Sequence, residues 1–134
     1  MKGRKAEIRA VNGALTKAPP APAWLPQHAK DEWRRIMPGL IENGRIARHE
    51  LSTVEDYCLC VARKREAEVV LQNDGLTYVS PTGELKRRPE TTILKEAIEA
   101  SRRLAAELGL TPASRDKNKG GAAIEDENDA LASI

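Results

Sequence analysis

The chain has 134 residues, enough for one small domain with tails. Its aromatic content is 3% with no Phe, so any core is built from Leu, Ile, Val and Ala and gains from sharing apolar faces with further copies of the chain. The net charge of +2 does not by itself imply nucleic acid, no apolar run approaches the roughly 18 residues of a membrane span, and the first residues lack the apolar stretch of a secretory signal, so a soluble intracellular chain is expected.

Residues 1–25 combine the bases Lys2, Arg4, Lys5, Arg9 and Lys17 with the run Ala18-Pro19-Pro20-Ala21-Pro22-Ala23. Proline removes backbone donors and favours extended geometry, so this stretch reads as a mobile basic arm. Pro26 suits a first helical turn, and Ala29, Trp33, Ile36, Leu40 and Ile41 then recur near one face, predicting a first helix over 26–43. Pro38 is expected to kink it, and Asn43-Gly44 to stop it.

A longer period follows from about Arg48 to Asn73-Asp74-Gly75, with Leu51, Val54, Cys58 and Val61 along one face. The charges over 63–68 read as a solvated or intersubunit face. After Gly75 the period changes to alternation in Leu76-Thr77-Tyr78-Val79, Ser80-Pro81-Thr82-Gly83 has the residues of a type I turn, and 84–87 form the return strand. Pro89 closes this hairpin, and a third helix is expected from Thr91 or Thr92, one of whose hydroxyls would cap it. Leu94, Ala97, Ile98, Ser101, Leu104, Ala105 and Leu108 make its apolar stripe, which Gly109 ends. Thr111-Pro112-Ala113-Ser114-Arg115 reads as a non-helical cap, and the polar, glycine-containing 116–134 as a disordered acidic tail.

The predicted fold is therefore mainly α: a long antiparallel helical pair joined through a small hairpin near 76–88 and braced by a kinked first helix, within a core domain over 26–115. Self-association through Leu51, Val54, Val61, Leu94, Ile98, Leu104 and Leu108 is expected, and head-to-tail contacts of this kind close into a ring.

Catalytic patterns are missing from the sequence. His28 and His49 fall in different predicted elements, no His-x-x-x-His or Cys-x-x-Cys occurs, and Gly120-Gly121 lacks the spacing of a phosphate-binding loop. Cys58 and Cys60 stand about 200° apart on a helix and cannot share a metal or a disulfide. The reading is a non-enzyme without cofactor or metal. Four basic groups remain as phosphate contacts: the arm, Arg34-Arg35, Lys86-Arg87-Arg88 and Arg102-Arg103. The helical pairs read as solvated faces, whereas the arm (Lys2, Arg4, Lys5, Arg9, Lys17) and the hairpin (Lys86, Arg87, Arg88) can reach phosphates without burying charge. Trp24 and Trp33 are expected to pack against the helices rather than to stack on bases.

The segments Pro22-Ala23-Trp24-Leu25, Ala29-Lys30-Asp31-Glu32-Trp33, Asp56-Tyr57-Cys58, Ser80-Pro81-Thr82-Gly83 and the run from Leu104 to Arg115, ending Leu108-Gly109-Leu110-Thr111-Pro112-Ala113-Ser114-Arg115, occur in that order. Over roughly residues 19–116 the chain thereby resembles phage terminase small subunits of the type without an obvious helix-turn-helix arm. The resemblance implies a helical ring acting in the bacterial host cytoplasm. It also implies viral double-stranded DNA as ligand and recruitment of the large terminase subunit, which carries the ATPase and nuclease. Two departures stand out: Glu50-Leu51-Ser52-Thr53-Val54 at the start of the long helix, and Lys86-Arg87-Arg88 where relatives often place Asn-Pro. The tail acids Glu125, Asp126, Glu127 and Asp129 are the expected contact for the large subunit. The alternative is a helical self-assembling interaction protein that does not bind DNA.

Overall fold

The computed structural model describes residues 11–114. Along them run α1 (Gln27–Glu42), a 3-10 turn (Arg48–Glu50), α2 (Leu51–Asp74), β1 (Thr77–Val79), β2 (Leu85–Arg87) and α3 (Pro89–Glu107). The mainly helical reading with one antiparallel hairpin is what the structure shows.

In α1 the period of 3.6 brings Ala29, Trp33, Ile36, Met37 and Leu40 to one buried face. They pack on Val54, Tyr57, Cys58, Val61 and Ala62 of α2, with Leu25, Ile46 and Leu108 closing the cluster. Pro38, where a kink is expected, lies inside α1, which runs on to Glu42. Gly44 then takes φ 61°, a left-handed conformation that costs a residue without Cβ little, and the chain turns. The next turn enters α2 through the Glu50 carboxylate, which accepts from the Ala47 backbone N–H at 3.0 Å.

The stretch expected as a mobile arm is, over residues 11–25, part of the fold. The Leu15 N–H donates to the Ile46 carbonyl at 2.8 Å, Ala14 bridges Ala47, and the Trp33 indole N–H donates to the Pro19 carbonyl at 3.0 Å. A proline carbonyl still accepts, so a proline run that cannot build a ladder can nonetheless dock along a tryptophan edge. Leu25 is buried, and Trp33 packs as expected, but Trp24 is 62% exposed.

Beyond this base, α2 and α3 continue as a pair. Its buried positions are chiefly small, Ala67, Ala97 and Ser101 with Leu71, so the helices approach closely with little apolar volume between them. Helix α3 begins at Pro89, two residues before the expected Thr91, because the fixed proline φ suits the first helical position. The Thr91 hydroxyl does not cap; it donates to the Arg88 carbonyl at 2.8 Å. At the other end, residues 112–114 take up helical geometry rather than a non-helical cap. The Thr111 hydroxyl accepts from the Ser114 N–H at 3.0 Å while the Ser114 hydroxyl accepts from the Thr111 N–H at 3.1 Å, a reciprocal arrangement that starts a new turn.

Candidate nucleic-acid interface and subunit surfaces

The hairpin is built from its turn outward. The Gly83 N–H donates to the Ser80 carbonyl at 2.9 Å, and the Ser80 N–H to the Glu84 carbonyl at 2.8 Å. Gly83 at φ 87° supplies the left-handed residue that a three-residue loop of this type requires. The register pairs Thr77 with Arg87, Tyr78 with Lys86 and Val79 with Leu85. Every strand residue is exposed, so both faces of the hairpin meet solvent.

This register divides the basic run. Neighbouring strand residues point to opposite faces, so Lys86 lies with Tyr78 on one face while Arg87 lies with Thr77, Val79 and Leu85 on the other. Arg88, just past β2, places its guanidinium 5.8 Å from the centre of the Tyr78 ring and donates through Nε to the Asp74 carbonyl at 3.2 Å. That carbonyl sits at the end of α2, where a cation complements the helix dipole. Arg88 therefore braces the hairpin's base. The Lys86 ammonium lies 3.9 Å from the Glu84 carboxylate, both exposed, a spacing at which the lysine stays available to a stronger anion. Arg87 has no ion-pair or hydrogen-bond partner among the described residues.

Of the arm, Lys17 is exposed after the Ala14 bridge, and Lys2, Arg4, Lys5 and Arg9 lie outside the described residues. So do Glu125, Asp126, Glu127 and Asp129. Of the helical pairs, Arg34 lies 3.6 Å from Asp31, and Arg35 clasps Glu32.

Glu32 is a buried carboxylate that sequence periodicity does not single out. It accepts from Arg35 Nε at 2.7 Å and from the Tyr57 hydroxyl at 2.6 Å, tying α1 to α2. Burial opposes its charge, but the hydrogen bonds from Arg35 and Tyr57 and the charges of Arg35 and Arg65 outweigh it and hold the carboxyl below the usual range. Burial and the same carboxylate push the Tyr57 hydroxyl above its ordinary value. The triad reads as structural: among the described residues no group of three or more His, Cys, Asp or Glu side chains is placed to hold a metal ion. Burial also pushes the Cys58 thiol up to about 12, and the Cys60 thiol is raised mainly by burial as well.

The residues expected at subunit contacts divide. Val54, Val61 and Leu108 are buried within the single chain, and Leu51 and Leu104, partly buried, pack against the same cluster. Leu94 and Ile98 are half-buried and line an open groove of about 470 Å³ between α2, α3 and the start of α1. Sequence reasoning missed the apolar side chains that do face solvent: Val69, Leu76, Val79, Leu85 and Ile93, between 42% and 72% exposed. The alternation that marked the strands carried the hairpin part of this signal, because a two-stranded hairpin has no second layer to cover it.

The features together define a mainly helical protein whose conspicuous surfaces are a basic hairpin with an apolar pair and an incompletely covered helix pair. A family model described as phage terminase, small subunit, matches residues 29–124, and the chain belongs to that family. Membership places it in phage genome packaging. No curated protein and no solved structure matches the chain. The match spans α1 from Ala29 onward and the chain after it to Ile124, and leaves the basic arm and residues 125–134 outside. The Leu-Gly-Leu-Thr-Pro-Ala-Ser run that carried the resemblance now has a physical role, the end of α3 followed by the reciprocal Thr111–Ser114 bonds. Among the described residues no helix is long and apolar enough to cross a membrane.

Proposed function

We propose that this small terminase subunit is a non-enzymatic, ring-forming adaptor that binds viral double-stranded DNA in the bacterial cytoplasm and delivers it to the large subunit's ATPase and nuclease. The observation that carries the DNA reading is the hairpin, where an arginine without a partner among the described residues and a loosely paired lysine project from opposite faces of a two-stranded ribbon. Charges so placed meet phosphates without desolvation inside the fold, and repetition around a ring multiplies weak contacts. Arg87 carries more of the contact than Lys86, and Arg88 contributes chiefly by holding the hairpin's base. The arm bases from Lys2 to Lys17 add backbone contacts, and the tail acids from Glu125 to Asp129 serve the large subunit.

The experiment is a salt titration of binding to packaging-site duplex. Arg87→Ala lowers the slope of log K against log salt by roughly one unit per engaged hairpin and leaves thermal stability unchanged. An unaltered slope and affinity would assign the contacts elsewhere, to the arm or to Arg102-Arg103. A second reading, self-assembly without DNA binding, is favoured by the apolar Val79–Leu85 pair beside Arg87. Absence of any salt-sensitive DNA binding by the intact assembly selects it.

A further inference from the structure

The open groove between α1, α2 and α3 has a lining that is part apolar and part basic. Val69, Leu94 and Ile98 supply the apolar lining, and His28, Lys64 and Arg65 the basic lining. Glu68 is the acid that lines it, and it already accepts from Gln72 Nε2 at 2.8 Å. Neither Lys64 nor Arg65 has an ion-pair partner within bonding distance among the described residues. Glu32, whose charge Arg65 feels, is clasped by Arg35 and Tyr57. The groove thus offers apolar contact to a ligand that also brings negative charge.

Two segments of the chain outside the described residues differ sharply in chemistry. Residues 1–10 carry Lys2, Arg4, Lys5 and Arg9 against Glu7, the wrong sign for this lining. Residues 124–131, Ile124-Glu125-Asp126-Glu127-Asn128-Asp129-Ala130-Leu131, combine acids with apolar side chains, and their spacing of seven would bring Ile124 and Leu131 to one face of a helix formed on docking. The reach is sufficient. From Leu108 back to Leu94 the helix spans about 21 Å at its usual rise. The connecting residues 115–123, with Gly120-Gly121 among them, extend to about 30 Å.

We propose that the groove is the docking site of this chain's own acidic segment, residues 124–131, with Ile124 and Leu131 against Val69, Leu94 and Ile98 and the carboxylates along Lys64 and Arg65. The docked segment covers the apolar lining, in its own copy or in a neighbouring one. Because the same acids are the proposed contact for the large subunit, docking also makes the segment something that partner must release. The inference concerns the chain alone and stands whether or not the DNA reading holds.

The test uses the full chain with photo-reactive benzoylphenylalanine in place of the half-exposed Val69, and mass spectrometry to locate the cross-link. Cross-links fall within 124–131, and mixing isotope-labelled with unlabelled copies tells own-chain from neighbour docking, either of which supports the proposal. The double variant Lys64→Glu, Arg65→Glu lowers the yield by about fivefold, as expected for the loss of two exposed ion pairs. Glu125→Lys with Glu127→Lys in that background restores it, an outcome that misfolding of the double variant would not give. Cross-links to residues 11–114 of a second copy would make the groove a subunit interface and overturn the proposal. So would no cross-link, or a yield indifferent to the charge reversals.

Discussion

The two ends of the helix pair are built differently. At the base, α1, the first half of α2 and the 14–25 stretch enclose a continuous cluster in which Ala29, Val54, Cys58 and Ala62 have no exposed surface, and the buried polar group Glu32 is fully partnered. At the distal end α2 and α3 meet through Ala67, Ala97 and Ser101, while Val69, Ile93, Leu76, Val79 and Leu85 face solvent. A third helix makes the difference: α1 covers one end and leaves the other with one layer too few. The base stabilises a single copy, and the distal end holds the surfaces on which a partner gains most, since apolar burial is worth about 25 cal/mol per Å² wherever the covering atoms come from.

Breaking the base therefore gives the largest effect. Trp33→Ala removes the centre of the cluster and the hydrogen bond that holds the proline run, and is expected to cost about 3–5 kcal/mol in chemical denaturation. Glu32→Ala leaves the Tyr57 hydroxyl and Arg35 without their acceptor and is expected to cost about 1–3 kcal/mol by the same measurement. The charge of Glu32 gives the base a pH signature. Its folded pKa lies below the ordinary value of 4.5, so its stabilising contribution is complete above that value and is lost as the pH falls through the folded one. The parent's thermal midpoint drops in that acid window, and Glu32→Ala flattens the drop.

Distal changes are expected to leave stability nearly intact and to alter association instead. Val79→Thr with Leu85→Thr keeps strand-forming side chains while removing apolar contact; stability stays within about 0.5 kcal/mol per substitution, and native mass spectrometry shows a smaller share of assembled protein. A global loss of stability from this pair would mean that the hairpin belongs energetically to the base. The smallest effect is chemical: Cys60, only half-buried, reacts with a thiol reagent before the fully buried Cys58, whose thiol is held near 12. Equal rates in the two would show the base opening as readily as the distal pair.

Sequence by itself determined the elements and most of their limits. The 3.6 period of Ala29, Trp33, Ile36 and Leu40, the Asn43-Gly44 stop, the alternation after Gly75 and the Gly109 ending all appear where local chemistry requires them, because spacing, left-handed glycine and turn residues act over a few neighbouring positions. The family was legible too, through the ordered segments from Pro22 to Arg115. Only the tertiary structure decided partnership. A stripe does not say which helix covers it, so Val54, Val61 and Leu108 read as subunit contacts, whereas α1 and its neighbours bury them within one copy. The proline run read as an arm because its composition forbids a ladder, yet its Pro19 carbonyl found the Trp33 indole and Leu15 ahead of it found Ile46. Lys86-Arg87-Arg88 read as one patch because charge is counted along the chain. The pleat sends alternate residues to opposite faces, and the end of α2 claims the third, so charge in sequence becomes charge in a place only once register and neighbours are fixed.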